Sequence, residues 1–256
     1  MRVAVLCAVV LVAVVAVVVL NRQDSGSPDG ALRDDAADAD LVAWVDAELP
    51  DETPVLAPTD VLDAVGAAGG GGRFRPRTSE EADALLVLRG APPTGSEVLA
   101  RFGGGGADAL SLVDPAPGRP TPEQLQRRQR LAAAILANPS TGATGRAAEV
   151  LRSAAVDARL LGLLAALVAQ LGTGISDFPP PAGEPVDGPL ARHVLIGRVG
   201  TATVRPDEAA TDRLVEFLQA QLPPFAPDDI EVTDEGVLVG FRYEPSPDAV
   251  VEENTP

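Results

Sequence analysis

The chain has 256 residues, with 37 Asp and Glu against 20 basic residues, every one of them Arg, and a formal net charge of -17. One His, one Cys and an aromatic content of 3% exclude a His/Cys zinc site, which needs about three or four such ligands, and an internal disulfide framework. An acidic, aromatic-poor surface also lacks the basic groove and stacking platforms of non-specific nucleic-acid binding, so no nucleic-acid partner is expected.

Val3 to Leu20 is an unbroken run of 18 apolar residues. As a helix it spans about 27 Å at roughly 1.5 Å per residue, close to the roughly 30 Å hydrocarbon core of a bilayer. A cleavable signal peptide is the competing reading, but its apolar region is about 7–15 residues long and ends in a small-x-small site. Here the run ends Val19-Leu20-Asn21-Arg22, and Ser25-Gly26-Ser27 is followed by Pro28, a poor residue for cleavage. Cys7 lies inside the run, not at its end, which argues against lipidation and for a small hydrophobe facing lipid. Residues 1–22 therefore read as an uncleaved transmembrane signal anchor. Residues 23–40 hold six Asp and one Arg, so the bulk of the chain is expected outside the cell membrane, with a cytoplasmic body as the alternative.

Residues 23–37 read as a disordered polar linker. From Asp38 an α/β domain (38–115) is expected. Leu41, Val42, Val45 and Leu49 recur at helical spacing beside Trp44, and Pro50 stops that helix. Val55 to Ala57 is a short strand, and Thr59 or Asp60 caps a helix through Val65. Ala84 to Leu88 is an apolar strand, Ser96 to Phe102 a short helix, and Ala109 to Val113 a third strand. This β-α-β-α-β rhythm predicts a small parallel sheet with right-handed crossovers.

The Pro-rich joint after Asp114 leads into a helical segment (116–172). Thr121 is the expected N-cap with Pro122 at the first helical position. Asn138 to Gly142 breaks the first helix, a second covers about 145–152, and a third runs from Asp157 to Gln170. The third contains ten apolar residues in a row, LLGLLAALVA, too few for a membrane span and suited to a central buried helix. An α+β unit (173–245) follows: strands at 175–178 and 193–197, an amphipathic helix over 206–221, and a hairpin of 230–232 with 236–243. The acidic tail, 246–256, is expected to be disordered. The fold class is thus α/β, with α+β character in the C-terminal part.

No motif carries chemistry. The glycine tracts 69–72 and 103–106 do not follow a strand and open a helix, as a dinucleotide fingerprint requires, and a Walker loop needs Lys. No G-x-S-x-G is present. His193 reads as a surface residue at a strand edge, and Asp38-Ala-Asp40 as acids favouring a helix N-terminus more readily than a metal–nucleotide D-x-D. Arg73, Arg75 and Arg77 form the one candidate anion-binding cluster, for a lipid headgroup or a cell-wall phosphate. The plainer reading is a solvated loop balancing nearby acids. No catalytic residue, cofactor or metal site is expected.

Several segments, in the same order, resemble the soluble extracytoplasmic region of actinobacterial membrane glycosyltransferases of the dolichyl-phosphate-mannose-protein mannosyltransferase type. They include VAWVDAELPDETPVLAPTDVLDAV (42–65), AILANPSTGATGRAAEVLRSAAVDARLLGLLAALVAQ (134–170), PLARHVLIGRV (189–199) and FLQAQLPPFAPDDIEVTDEGVLVGFRYEPSP (217–247). The polytopic portion that holds the catalytic carboxylates of such transferases has no counterpart here. The resemblance therefore implies an extracytoplasmic accessory domain with no transferase activity, and no functional residue transfers. The expected protein is a single-pass, non-catalytic interaction or accessory module at the cell envelope. Its membrane contact is through residues 3–20, and envelope proteins or glycosyltransferases are its expected partners. The alternatives are an extracytoplasmic glycan- or solute-binding domain and an Asp/Glu-dependent envelope enzyme.

Overall fold

The structure, a computed structural model, describes residues 31–77, 84–103, 109–185 and 188–254. The apolar run 3–20 and the first part of the linker lie outside these residues. Among the described residues no helix is long and apolar enough to cross a membrane.

The fold is mixed α/β with seven helices and two mixed sheets among the described residues. Helix α1 (Ala31–Glu48) buries Leu41, Val42, Trp44 and Val45, the face its periodicity predicts. It begins at Ala31, so the second half of the expected linker is helical. Alanine carries no helix penalty. Strand β1 (Val55–Ala57), helix α2 (Thr59–Ala67), and strands β2 (Phe74–Pro76), β3 (Leu85–Arg89), β4 (Glu97–Phe102) and β5 (Leu110–Asp114) complete the first unit.

These strands form a sheet in the order β2-β1-β3-β5-β4. Strand β1 pairs in parallel with β2 and β3, whereas β5 runs antiparallel to both β3 and β4. The expected all-parallel sheet is therefore corrected, and the expected helix over Ser96–Phe102 is strand β4. A shift in register between Val98 and Ala100 is the cause. It turns both Leu99 and Ala100 inward, which erases the period-two alternation that identifies a strand. With β4 a strand, no helical crossover separates β3 from β5, and β5 returns antiparallel.

Helix α3 (Pro122–Ala137) starts as its sequence predicts. Thr121 and Gln124 form a reciprocal capping box, with Pro122 at the first position. Strand β6 (Thr141–Ala143), helix α4 (Gly145–Ser153), helix α5 (Ala158–Leu171), and strands β7 (Thr173–Asp177), β8 (His193–Val199) and β9 (Ala202–Thr203) follow. Then come helix α6 (Ala209–Gln219), strands β10 (Asp229–Thr233) and β11 (Gly236–Gly240), and helix α7 (Pro247–Glu253). The second sheet has the order β10-β11-β8-β7-β6, with β9 paired to β8.

Leu160, Leu161, Leu163, Leu164, Leu167 and Val168 of α5 are buried. They share one apolar core with Ile135 of α3, Leu151 of α4, Leu214 of α6, and Ile196 and Val239 of the sheet. A second core unites α1, α2 and the first sheet, and Tyr243 from beyond β11 belongs to it.

Within the expected disordered tail, Pro247–Glu253 is helix α7. Its acids are held by α3: Asp248 stands 3.2 Å from Arg128 Nε, and Glu252 accepts from Gln124 and Arg127. A cluster of acids reads as a solvated tail until the chain brings cations to it.

Candidate functional site

Buried charge gathers where the two cores adjoin, and Arg192, the residue before β8, is its centre. Its backbone carbonyl accepts from Phe241 N–H at 3.0 Å, which fixes the side chain at the edge of the second core. The guanidinium stacks 5.6 Å over the ring of Trp44. Its Nη2 donates to Glu48 Oε2 at 2.8 Å and also to Glu184 Oε1. Trp44 and Glu48 are four residues apart on α1 and so lie on one helix face. Trp44 in turn meets Phe102 edge to face, with centroids 6.5 Å apart.

Two carboxylates converge on one cation in a site nearly closed to water. Burial pushes Glu184 up to about 7, against the pull of Arg192 and with repulsion from Glu48 and Glu97. Burial also raises Glu48, again opposed by Arg192. One guanidinium cannot neutralise both acids in so desolvated a place. With 6% of its side chain exposed, Glu184 is a poor donor of protons to a substrate. It couples folding to pH instead.

Tyr243 closes the same junction. Its N–H donates to the carbonyl of Glu48 at 2.7 Å, and its hydroxyl donates to Asp114 Oδ2 at 2.6 Å in a buried contact. Asp114 Oδ1 accepts from Ala116 N–H at 2.8 Å. Burial and then the hydrogen bond to Asp114 push the phenol well above its ordinary value. Glu97, at the start of β4, is raised by burial and by Asp114. Tyr243→Phe is expected to cost about 1.5–3 kcal/mol, the range for a hydrogen bond to a charged group. Urea denaturation at pH 7 measures it, and a loss below about 0.5 kcal/mol would mean that water replaces the hydroxyl.

A second ion pair anchors α5. Asp157 caps the helix, accepting from Arg159 N–H at 2.8 Å and from the Arg159 guanidinium at 3.1 and 2.8 Å. The same guanidinium donates to the carbonyl of Arg242 and stacks 5.2 Å over Phe241. Between these pairs and α7 lies a cavity of about 220 Å³, lined by Glu97, Arg128, Arg192, Tyr243 and Asp248 among others.

No family model, curated protein or solved structure matches the chain. The geometry of the junction therefore carries the functional reading.

The arginine cluster divides. Arg73 turns inward and donates to the carbonyls of Leu49 and Pro50, with Asp46 and Asp51 within 3.8 Å. It satisfies the carbonyls that the end of α1 leaves open. Arg75 and Arg77 stay on the exposed side, at edge strand β2 and just beyond it.

His193 is not at the surface: its side chain is 13% exposed. It pairs across the strands with Gly240, where any Cβ would stand 2.6 Å from the ring. Burial and the neighbouring Arg192 push it down to about 4, so it is neutral at pH 7. Asp38 is buried and Asp40 exposed, so the D-x-D acids point to different faces of α1. In the first glycine tract, a Cβ at Gly70 would stand 2.6–2.9 Å from Val65, Val42 and Phe74, which makes this a packed turn and not a phosphate cradle. Most of the second tract lies outside the described residues. Among the described residues, no group of three or more His, Cys, Asp or Glu is placed to hold a metal.

Sequence reasoning missed Arg192, Glu48, Glu184, Asp114, Tyr243, Arg128 and Asp248. The only local signals were an Arg directly before an apolar strand and the chain's single Tyr. Their partners stand 144 and 129 residues away, beyond any pattern of spacing.

Proposed function

We propose that this chain is a single-pass, membrane-anchored module whose body lies outside the cell membrane, and that it works through interaction and without catalysis of its own. The observation that carries this reading is how the charged groups are used. Arg192 is held by Glu48 and Glu184, Tyr243 by Asp114, Arg159 by Asp157 and Arg128 by Asp248. A general acid or base needs a free path to its substrate, whereas these side chains pair with one another inside the fold. The apolar run 3–20 supports the anchor. The resemblance to the extracytoplasmic region of membrane mannosyltransferases supports an accessory role beside envelope proteins or glycosyltransferases.

The test is topological. The full chain carrying a C-terminal epitope is expected in the membrane fraction, released only by detergent, and digested when protease is added to intact spheroplasts. An epitope recovered in the soluble cytosol, or one shielded from protease until the membrane is broken, overturns the reading.

A further inference from the structure

Helix α7 lies beside α3 and α5, and its acids make the side-chain contacts that hold it to α3. Residues 119–130, the approach to α3 and its first half, hold four of the chain's 20 Arg against one acid, Glu123, in a protein of net charge -17. Residues 244–253 hold four acids and no base. Asp248 and Glu252 are four residues apart and share one face of α7, as Gln124, Arg127 and Arg128 share one face of α3. Asp248 stands 3.2 Å from Arg128 Nε. Glu252 accepts from Gln124 Nε2 at 2.9 Å and from Arg127 Nη2 at 3.2 Å. The two helices thus carry complementary spacings of acid and base.

This seat is separable from the rest of the fold. Among the described residues, no α7 side chain belongs to either apolar core. The Arg127–Glu252 pair is half exposed on both sides, and such pairs hold weakly. Burial raises Asp248 above its ordinary value against the pull of Arg128, so that contact does not fully recover the hydration it gave up. The start of α7 roofs the cavity of about 220 Å³ and does not fill it. A helix of seven residues, whose Ser246 makes no side-chain cap, does not stand alone in water. Just before it, Tyr243 is fixed in the second core and Pro245 is exposed, so movement of α7 starts there and leaves the junction in place.

We infer that α7 is a displaceable strap over a recognition groove on α3, and that the groove's partner is an acidic helical segment of another protein, with acids four residues apart. When α7 lifts, the partner's acids take the places of Asp248 and Glu252 on Arg128, Arg127 and Gln124. Helix α7 is then the groove's own competitor, and it lowers the apparent affinity in proportion to the time it stays closed. The inference rests on the reading of the chain as an interaction module. It does not depend on the anchor, so failure of the groove and failure of the topology are separate results.

Fluorescence anisotropy on the full chain in phospholipid nanodiscs tests it, with a labelled peptide of residues 245–254, PSPDAVVEEN, as the probe. Two substitutions lift α7 and leave the arginines of α3 untouched. Val250→Pro removes the bond from Val250 N–H to the carbonyl of Ser246, and Gly118→Ala sets a Cβ against Ser246 Oγ and the carbonyl of Pro245. Each is expected to bind the peptide at least tenfold more tightly than the natural chain, and the second serves if the first does not fold. A peptide with Asn and Gln in place of its acids is expected to bind at least tenfold more weakly. Arg127→Glu, added to either opened variant, is expected to weaken binding at least fivefold. In amide exchange of the natural chain, α7 is expected to open at least tenfold more often than α5. No binding to the opened variants, binding equal to that of the natural chain, binding that survives loss of the acids or of Arg127, or an α7 that opens only together with α5 overturns the inference.

Discussion

Replacing Arg192 with Met is expected to destabilise the protein by about 3–5 kcal/mol at pH 8, the range for removing one partner of a buried ion pair. The side chain is 2% exposed, and its removal strands Glu48 and Glu184 without a cation. The loss is expected to shrink as the pH falls to 5, because the stranded carboxyls then take up protons. Urea denaturation at the two pH values reads both effects. A cost under about 1 kcal/mol that does not change with pH would mean that the two acids reach water.

Glu184→Gln isolates the acid side of the same contact. In the native state Glu184 lies near 7, above its ordinary value of 4.5, so between those values the native state binds more protons than the unfolded one. Its contribution to stability is present below pH 4.5 and is lost as pH rises through 7. Gln cannot ionise, so the variant is expected to gain on the natural protein by about 1 kcal/mol between pH 6 and 8. His193 works in the opposite sense. Pushed down to about 4, it contributes stability that is present above pH 6.5 and lost as pH falls toward 4. Because His193 is common to both proteins, it cancels in their difference.

Leu164→Ala in α5 is expected to cost about 2–5 kcal/mol, combining lost burial with the cavity left behind. Leu164 is fully buried in the core that α5 shares with α3, α4, α6 and the second sheet, so few neighbours can move in to fill the space. At about 2–4 °C per kcal/mol for a protein of this size, the melting temperature is expected to fall by roughly 5–20 °C. Leu125→Ala on α3, where the side chain is 38% exposed, is the control, expected within about 0.5 kcal/mol of the natural protein. Equal effects at both positions would refute α5 as the central element of that core.

Elements whose signal is local are legible in the amino-acid sequence. The start of α3 is written in Thr121, Pro122 and Gln124, because a capping box closes within four residues. The apolar run of α5 demands burial wherever it lies, and β1, β3, β5, β8 and the β10–β11 hairpin each carry their own apolar or turn pattern. Elements shaped by non-local contacts are not legible in this way. The bulge in β4 hides its alternation, and the direction of β5 depends on which neighbour it meets. Asp248 and Glu252 of α7 are held by arginines more than a hundred residues earlier in the chain.

The candidate site is of this second kind throughout. Composition narrows the available chemistry to carboxylates and arginine, since His, Cys and aromatics are nearly absent. It cannot pair them, because a charge has no periodicity and an acid 144 residues away leaves no mark beside its partner. Folding brings Glu48, Glu184 and Arg192 to one point and takes the water away. Arg73 is turned onto the end of α1, and a cavity lined by both signs of charge is left beside α7. Local sequence governs where the backbone can bend, coil or extend; dehydration and charge pairing at the junction of two cores govern which of many ordinary residues matter.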